Sequence, residues 1–509
     1  MLQTENKDKI FRTRRILPIV LCLCMLAALL MISGCSKEKN TEHEPIFRGL
    51  ESGEMFLSGY IGPRPSYYRN GELIWEPYTD GAVFQELKDA GLNYMIDELN
   101  YAGSTYEYAK MALEYSEEVG LMYFMAAYDV INVGAETMGT DEEIKSKLQE
   151  LYQYDSFAGL FFIDEPSATS YPFIKECIDK LNQIEGELGY ENLNPHVNLL
   201  PPTAGGERLS GVPGESMTWE DHIRGLSDTG IKYLSFDMYP IYGLFTNKVL
   251  PSWFTALGTM NQVAIEEGKP WIGCVQVGGG SWAYLTPEQR VTTEGELKWD
   301  VNTMLAFGAK GLIYYLTVSP PFWADKEGAE EQVNWHSIIN VYGEKTEFYD
   351  YVQEINAHIA AMDHVLMNCD YQGVIINGNT PAVHYGDDLI KSNTFRDLNE
   401  VTGNALIGCF DYNGKTALYV VNNSITEEGT ITLSFDHKFN FEIIQDATSR
   451  NENGDFLSIE LGIGESALVV LESRDLTIPI FIAAGIVAVL CVVAVSVLIV
   501  KKHKRVKRG

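Results

Sequence analysis

The chain has 509 residues, 46% hydrophobic, 21% charged and 11% aromatic, with a formal net charge of −32. This composition excludes a disordered chain, a collagen-like repeat and a disulfide mini-scaffold, and the length predicts two folded domains of roughly 100–250 residues. The acidic balance repels nucleic acid and other polyanions, so neutral partners fit better.

Lys7, Lys9, Arg12, Arg14 and Arg15 precede an uncharged apolar stretch from Ile16 to Ile32, which closes as Ile32-Ser33-Gly34-Cys35. A basic start, an apolar middle and small residues before a cut predict an export signal over residues 1–34. The tetrapeptide resembles a bacterial lipobox, which implies that Cys35 is lipidated and begins the mature protein. Residues 35–51 read as a linker.

From residue 52 to 368 one pattern recurs: an apolar run of strand length, then an amphipathic helical segment. The runs are Phe56–Ile61, Leu92–Asp97, Leu121–Ala127, Gly159–Asp164, His196–Leu200, Ile231–Asp237, Trp271–Gln276 and Gly311–Leu316. Runs that are continuously apolar suit parallel strands buried on both faces. Thr140-Asp141-Glu142-Glu143 and Thr218-Trp219-Glu220-Asp221 carry helix-start signals, and Gly91, Gly120, Gly230 and Gly308 each end a helix shortly before a strand. Eight such units in about 300 residues predict a (β/α)8 TIM barrel. Its last helix spans roughly residues 345–366. Residues 369–473 then show short alternating strands, such as Thr416–Val421 and Thr430–Phe435, with turns at Asn413-Gly414 and Asn453-Gly454. They predict an antiparallel β-sandwich.

Leu476 to Val500 carries no charge and is long enough to cross a bilayer, so it predicts a transmembrane helix. The basic tail, residues 501–509, is expected in the cytoplasm and residues 36–475 outside the cell membrane. Without signal and tail, 27 basic and 68 acidic residues remain, a net charge of −41. The cysteines of that part, Cys177, Cys274, Cys369 and Cys409, have no CxxC spacing, and the histidines are scattered. No metal or other cofactor is expected.

In a barrel of this kind chemistry gathers where strands end. The first run ends near Arg64, the second with Asp97-Glu98 and the third with Tyr128-Asp129. The fourth delivers Asp164-Glu165-Pro166 and the sixth Asp237-Met238-Tyr239. The seventh ends at Gln276 with Trp282 beyond, and the eighth at Tyr314-Tyr315 followed by Phe322-Trp323. Paired carboxylates at a cleft cut glycosidic bonds: one protonates the leaving oxygen and the other acts as nucleophile or base. Asp164, Glu165 and Asp237 are therefore the candidate catalytic residues. Arg64, Asp97, Glu98, Tyr128, Tyr239, Gln276, Trp282, Tyr314 and Trp323 are the candidate substrate-binding residues. Trp253, Trp282, Trp299, Trp323 and Trp335, in or near late βα segments, suit the apolar faces of sugar rings.

On these residues the barrel resembles bacterial glycoside hydrolases of the clan A type, including family 42-like β-galactosidases. Their fourth strand ends in Asn-Glu, often Asn-Glu-Pro, with the Glu as acid/base. The resemblance implies that role for Glu165, although Asp164 stands in place of the Asn. Phe307 to Tyr315 looks like the eighth strand of such barrels, and a following β-sandwich is common among them. The seventh strand departs from the pattern: the clan's nucleophilic Glu is replaced by Gln276, and Glu288, Glu294 and Glu296 come later, the last two at the expected start of a helix. Other glycosidase clans pair carboxylates from strands 4 and 6, or use adjacent Asp and Glu on strand 4, with the Asp positioning a substrate acetamido group. Three mechanisms stay open here. Glu165 is the acid in all except a strand 4/6 scheme with Asp164 as nucleophile. The expected function is a membrane-anchored extracellular glycoside hydrolase acting on neutral oligo- or polysaccharides; the alternative is a non-catalytic glycan-binding protein on the same barrel.

Overall fold

The structure, a computed structural model, describes residues 45, 47–63, 66–69, 72–75, 81–97, 106–127, 138–191, 193, 195–242, 248–277, 292–318, 337–340 and 343–472. The expected signal, Cys35, the 476–500 run and the basic tail lie outside these residues. Among the described residues no helix is long and apolar enough to cross a membrane.

Eight strands alternate with eight main helices. The strands are β1 (Phe56–Tyr60), β2 (Tyr94–Ile96), β3 (Met122–Ala126), β4 (Phe157–Asp164), β5 (His196–Asn198), β6 (Leu234–Asp237), β7 (Trp271–Gln276) and β8 (Gly311–Tyr315). The helices are α1 (Ala82–Asp89), α2 (Tyr106–Val119), α3 (Asp141–Leu151), α4 (Tyr171–Leu188), α5 (Trp219–Ser227), α6 (Trp253–Glu266), α7 (Glu294–Ala306) and α8 (Glu347–Ala360). Among these eight strands the pairings are parallel and follow chain order, with β8 beside β1. A bridge from Leu199 to Phe236 and the bond from Leu199 N to Ser235 O (2.8 Å) close the ring between β5 and β6. This is the expected TIM barrel.

The helix boundaries follow local chemistry. Thr140 and Glu143 form a reciprocal capping box at α3, Thr293 and Glu296 do so at α7, and the Thr218 hydroxyl accepts Asp221 N at α5. Gly91 and Gly120, at φ 83° and 71°, turn the chain from helix to strand in a left-handed conformation open to glycine.

The barrel interior is packed with aromatic side chains. Phe47, from the segment before β1, plugs the lower end: its ring stacks on Phe56 at 4.3 Å and meets Tyr233 at 4.5 Å. Phe161, His196 and Tyr233 form the next layer, and burial pushes His196 down to about 3, so the ring is neutral there.

The second domain is one seven-stranded antiparallel sheet folded over on itself. Its strands are β9 (Asp370–Asn377), β10 (Leu398–Thr402), β11 (Ala405–Tyr412), β12 (Lys415–Asn422), β13 (Gly429–Gln445), β14 (Thr448–Leu461) and β15 (Ser466–Glu472). They run β9-β11-β12-β15-β13-β10, with β14 also on β13. A register shift between Ser434 and Phe439 bends long β13, so that it pairs with β10 in its first half and with β15 in its second. Alternate residues of β12 serve two cores. Leu418 and Val420 face the sheet's own interior, whereas Ala417, Tyr419 and Val421 join the barrel core. The expected turn at Asn413-Gly414 is present, with both residues left-handed. The expected turn at Asn453-Gly454 is not: both lie within β14, paired to Asn440 and Phe439. The reversal falls instead at Asp446 and Ala447, at φ 49° and 54°.

Helix α7 joins the two domains. Every residue from Glu296 to Ala306 is buried, because the barrel covers one side and β11 and β12 the other. Trp299 Nε1 donates to Asn423 Oδ1 (3.0 Å), Asn302 Nδ2 to Gly464 O (2.8 Å) and the Tyr419 hydroxyl to Asn302 Oδ1 (2.7 Å). Trp253 and Trp299 are thus fully buried packing residues, and the reading of them as sugar platforms is corrected.

Candidate functional site

Side chains alternate along each strand, and that parity decides what reaches the mouth of the barrel. On β5 His196 points inward and Val197 outward, so Asn198 points inward at the rim. On β4 a register shift between Phe161 and Ile163 sets Asp164 beside Asn198. On β6 Tyr233, Ser235 and Asp237 share the inward side.

Asn198 is the hub. Its Nδ2 donates to Asp164 Oδ1 at 3.2 Å and to Asp237 Oδ1 at 3.0 Å. Its Oδ1 accepts from Ser235 Oγ at 3.1 Å and from Cys274 Sγ at 3.6 Å. Two acceptors sharing one amide nitrogen at those distances stand about 5 Å apart when each takes one N–H, and no more than about 6 Å in any geometry. The two carboxylates are therefore neighbours across the β5 strand.

Tyr239 stands beside this pair, close enough for the charges of Asp237 and Asp164 to raise its pKa, and a row of rings runs on from it through Tyr315 to Tyr60. The Tyr60 ring lies 5.7 Å from Tyr315, and Tyr315 lies 5.4 Å from Tyr239. Burial raises the Asp237 pKa well above the ordinary carboxylate value. The charges of Asp164 and Glu165 raise it further, against the Asn198 hydrogen bond. Asp237 therefore gives up its proton less readily than an ordinary aspartate.

Glu165 follows a different path from Asp164. It is left-handed, at φ 48°, and its N–H donates to Asn198 O (2.9 Å). That twist carries its carboxylate out of the inward row and into a cleft of about 600 Å3 between the loops after β4 and β5, where it meets Arg208 at 2.5 Å. Burial raises the Glu165 pKa, and Arg208 pulls it back. Ile61, after β1, is also left-handed at φ 67°. Among the described barrel residues these two are the non-glycine residues in that region, and both stand at the mouth. Backbone strain of this kind collects at functional sites.

Of the other expected site residues, Tyr239 reaches the mouth. Gln276 lies at the rim, but its side-chain amide is pinned to the backbone of Ile241, accepting from its N–H at 3.0 Å and donating to its carbonyl at 3.1 Å. It acts as a brace for the loop after β6. Tyr314 is corrected: it is fully buried on the outer face of β8, and its hydroxyl donates to Asn356 Oδ1 on α8 at 2.6 Å. Its neighbour Tyr315 faces inward in its place. Asp97 is corrected as well, being fully buried and accepting from the Tyr123 hydroxyl at 2.8 Å, between strands and helices. Arg64, Glu98, Tyr128, Trp282 and Trp323 lie outside the described residues. The sequence reading missed Asn198 and Tyr60, and named Tyr315 as a strand end without choosing it as a site residue. A polar residue inside the apolar run His196–Leu200 was the signal for Asn198.

Among the described residues, the three-residue grouping of potential metal ligands is Asp397, Asp436 and His437 on the sheet, with none at the barrel mouth. The four described cysteines are free and buried.

No protein-family model matches the sequence, and no curated protein does. Solved structures do match in fold. The β-galactosidase of Bacillus circulans sp. alkalophilus aligns over 84% of this chain and 100% of its own, at 8% identity and a TM-score of 0.51. A Bacteroides fragilis NCTC 9343 protein provisionally described as an α-galactosidase/melibiase aligns over 82% of this chain and 79% of its own, at 10% identity and a TM-score of 0.45. The α-galactosidase I of Mortierella vinacea aligns over 78% and 91%, at 11% identity and a TM-score of 0.40. At such identities the likeness is one of fold alone, a barrel followed by an antiparallel sheet domain.

Proposed function

We propose that the protein is a glycoside hydrolase for neutral oligo- or polysaccharides, using Asp164 and Asp237. One observation carries this reading: both carboxyls bond the same Asn198 amide at the strand ends, beside Tyr239. A separation of about 5 Å suits a carboxylate that attacks the anomeric carbon directly rather than through a water, which needs about 6.5–9.5 Å. Asp237, whose proton is retained by burial, donates it to the leaving glycosidic oxygen. Asp164 attacks and forms a glycosyl ester. Water, giving its proton to Asp237, then releases the sugar and restores both groups. Tyr239 and Tyr315, both partly exposed, offer flat faces to the sugar ring. In this scheme Glu165 flanks the site instead of supplying the acid.

We infer also that the work is done outside the cell membrane, with the Cys35 lipid and the 476–500 run as anchors. Support for this comes from the sequence pattern of both ends. Recovery of Cys35→Ala with the last 34 residues removed in the soluble fraction, against membrane recovery of the full chain, is the expected result.

The activity test is sugar release by the full chain in detergent from neutral glycans and aryl glycosides. Asp164→Asn is expected to lose at least about a hundredfold on every substrate. Asp237→Asn is expected to lose as much on oligosaccharides but far less on a dinitrophenyl glycoside, whose leaving group needs no proton. Glycan binding without turnover would make the barrel a capture protein and end the enzymatic reading.

A further inference from the structure

Asp300 brings a carboxyl into the middle of α7, where it is fully buried on the side that faces β7. Its Oδ2 accepts the backbone N–H of Gln276 at 2.9 Å, and its Oδ1 finds no partner among the described residues. Burial raises its pKa well above the ordinary carboxylate value, against the Gln276 hydrogen bond. A buried carboxyl with one oxygen left over costs stability, so packing alone favours an apolar residue here.

The bond that Asp300 does make falls where the barrel wall loosens. β6 pairs with β7 as far as Asp237 opposite Cys274. Gln276 lies two residues beyond that last pair, and there Asp300 takes its N–H. The Gln276 side chain then crosses to the loop after β6. Its Oε1 accepts the Ile241 N–H at 3.0 Å and its Nε2 donates to the Ile241 carbonyl at 3.1 Å. Ile241 and Tyr242 pair in turn with Lys248 and Val249, so this amide grips the stem of the loop. Tyr239, two residues before Ile241, stands beside Asp237 and Asp164.

The far side of α7 is fixed by the sheet domain. Trp299 and Asn302, on either side of Asp300 in the chain, bond Asn423 and Gly464. Asp300 is thus the point at which a helix held by both domains takes hold of the rim of the mouth. We propose that Asp300 is a positioning residue for the sugar at the mouth: as an acceptor it fixes the end of β7, and through the two bonds of the Gln276 amide it fixes the loop that carries Tyr239. It touches no substrate itself. The inference rests on the reading of the mouth as a carbohydrate site and adds the shared helix to what shapes that site.

Hydrogen exchange of the full chain in detergent tests the link with no ligand present. In Asp300→Ala the Ile241 amide is expected to exchange at least about tenfold faster, while the amides of β3, across the barrel, are unchanged. Asp300→Leu fills the same space without an acceptor, and so carries the test where the alanine variant folds poorly. Asp300→Asn keeps an oxygen for the Gln276 N–H and is expected to exchange as the wild type does. Ile241 exchange that stays at the wild-type rate in Asp300→Leu, or rises in Asp300→Asn, overturns the proposal. The second reading is kinetic, on an aryl glycoside. KM is expected to rise about tenfold in Asp300→Leu with kcat within about threefold, and Asp300→Asn to restore it. On a Tyr239→Ala background the same leucine change is expected to move KM less than about twofold, because its effect runs through that ring. An equal rise on both backgrounds makes Asp300 a packing residue and overturns the proposal. Turnover with Ile241 exchange unmoved ends this inference and leaves the activity standing. Exchange that responds in a chain that neither binds nor cleaves any glycan ends the carbohydrate reading of the mouth, and the sugar-positioning role with it.

Discussion

Asn198 links the chemistry of two aspartates through one side chain, and this makes it the most informative residue to change. Asn198→Ala removes the shared donor and strands the Ser235 and Cys274 donors. Loss of alignment by even an ångström lowers turnover, here by about 10–100-fold. The hydrogen bond from Asn198 favours ionised Asp237, so its loss pushes that pKa higher still. The alkaline limb of kcat/KM, where the acid loses its proton, is expected to move to higher pH in Asn198→Ala. An unmoved limb would reduce Asn198 to packing. Asp237 also leaves a mark on stability. Its pKa is raised in the folded chain, so the folded state holds the proton more tightly than the unfolded one. Stability is unpenalised below about pH 4, the ordinary carboxyl value, and falls as pH rises from there toward the folded pKa. Asp237→Asn is permanently neutral and keeps an acceptor for Asn198. Its melting temperature is expected to exceed that of the wild type by about 2 °C at pH 7, with the gap closing at pH 4. Equal melting at pH 7 would mean that the Asp237 charge costs the fold nothing.

At the scale of elements, α7 is the piece on which both domains depend. It has no polar face to show to water, which is why its sequence lacks the one-sided pattern of α5. Gly408 on β11 lets the sheet lie directly against it: a Cβ there would come within 2.4 Å of Ala306 O. Gly408→Ala is therefore expected to destabilise the chain by about 1–3 kcal/mol, measured by denaturant unfolding, since a backbone oxygen cannot swing aside. A smaller change would mean that the sheet slides on the helix. The same element shows where sequence patterns stop being readable. Trp299 looked like a sugar platform because it follows β7, yet its indole is spent on Asn423 in the other domain.

For the whole molecule, the shared core predicts that barrel and sheet unfold together. Tyr419, Val421, Leu468 and Val470 from the sheet belong to the same buried cluster as the barrel's helices. A chain ending at residue 366 would expose the outer side of α7, an apolar surface with nothing to cover it. It is expected to aggregate, and calorimetry of the full chain to give a single transition. Two separate transitions would show that the sheet is an independent module.

Length, apolar runs and capping residues by themselves determined the barrel: all eight strands appear in order, and Thr140 and Thr218 start their helices as local chemistry demands. These features rest on interactions within a few residues, which a linear sequence displays. The carboxylates Asp164 and Asp237 were legible in the same way, as charges ending apolar strands. Which of them meet was decided by tertiary structure alone. A register shift in β4 and a left-handed residue at Glu165 turned one carboxylate inward and the next outward, while parity on β8 exchanged Tyr315 for Tyr314. A one-residue change of register reverses every side chain that follows, and the neighbour that sets the register, here Asn198, is 34 residues away in the chain.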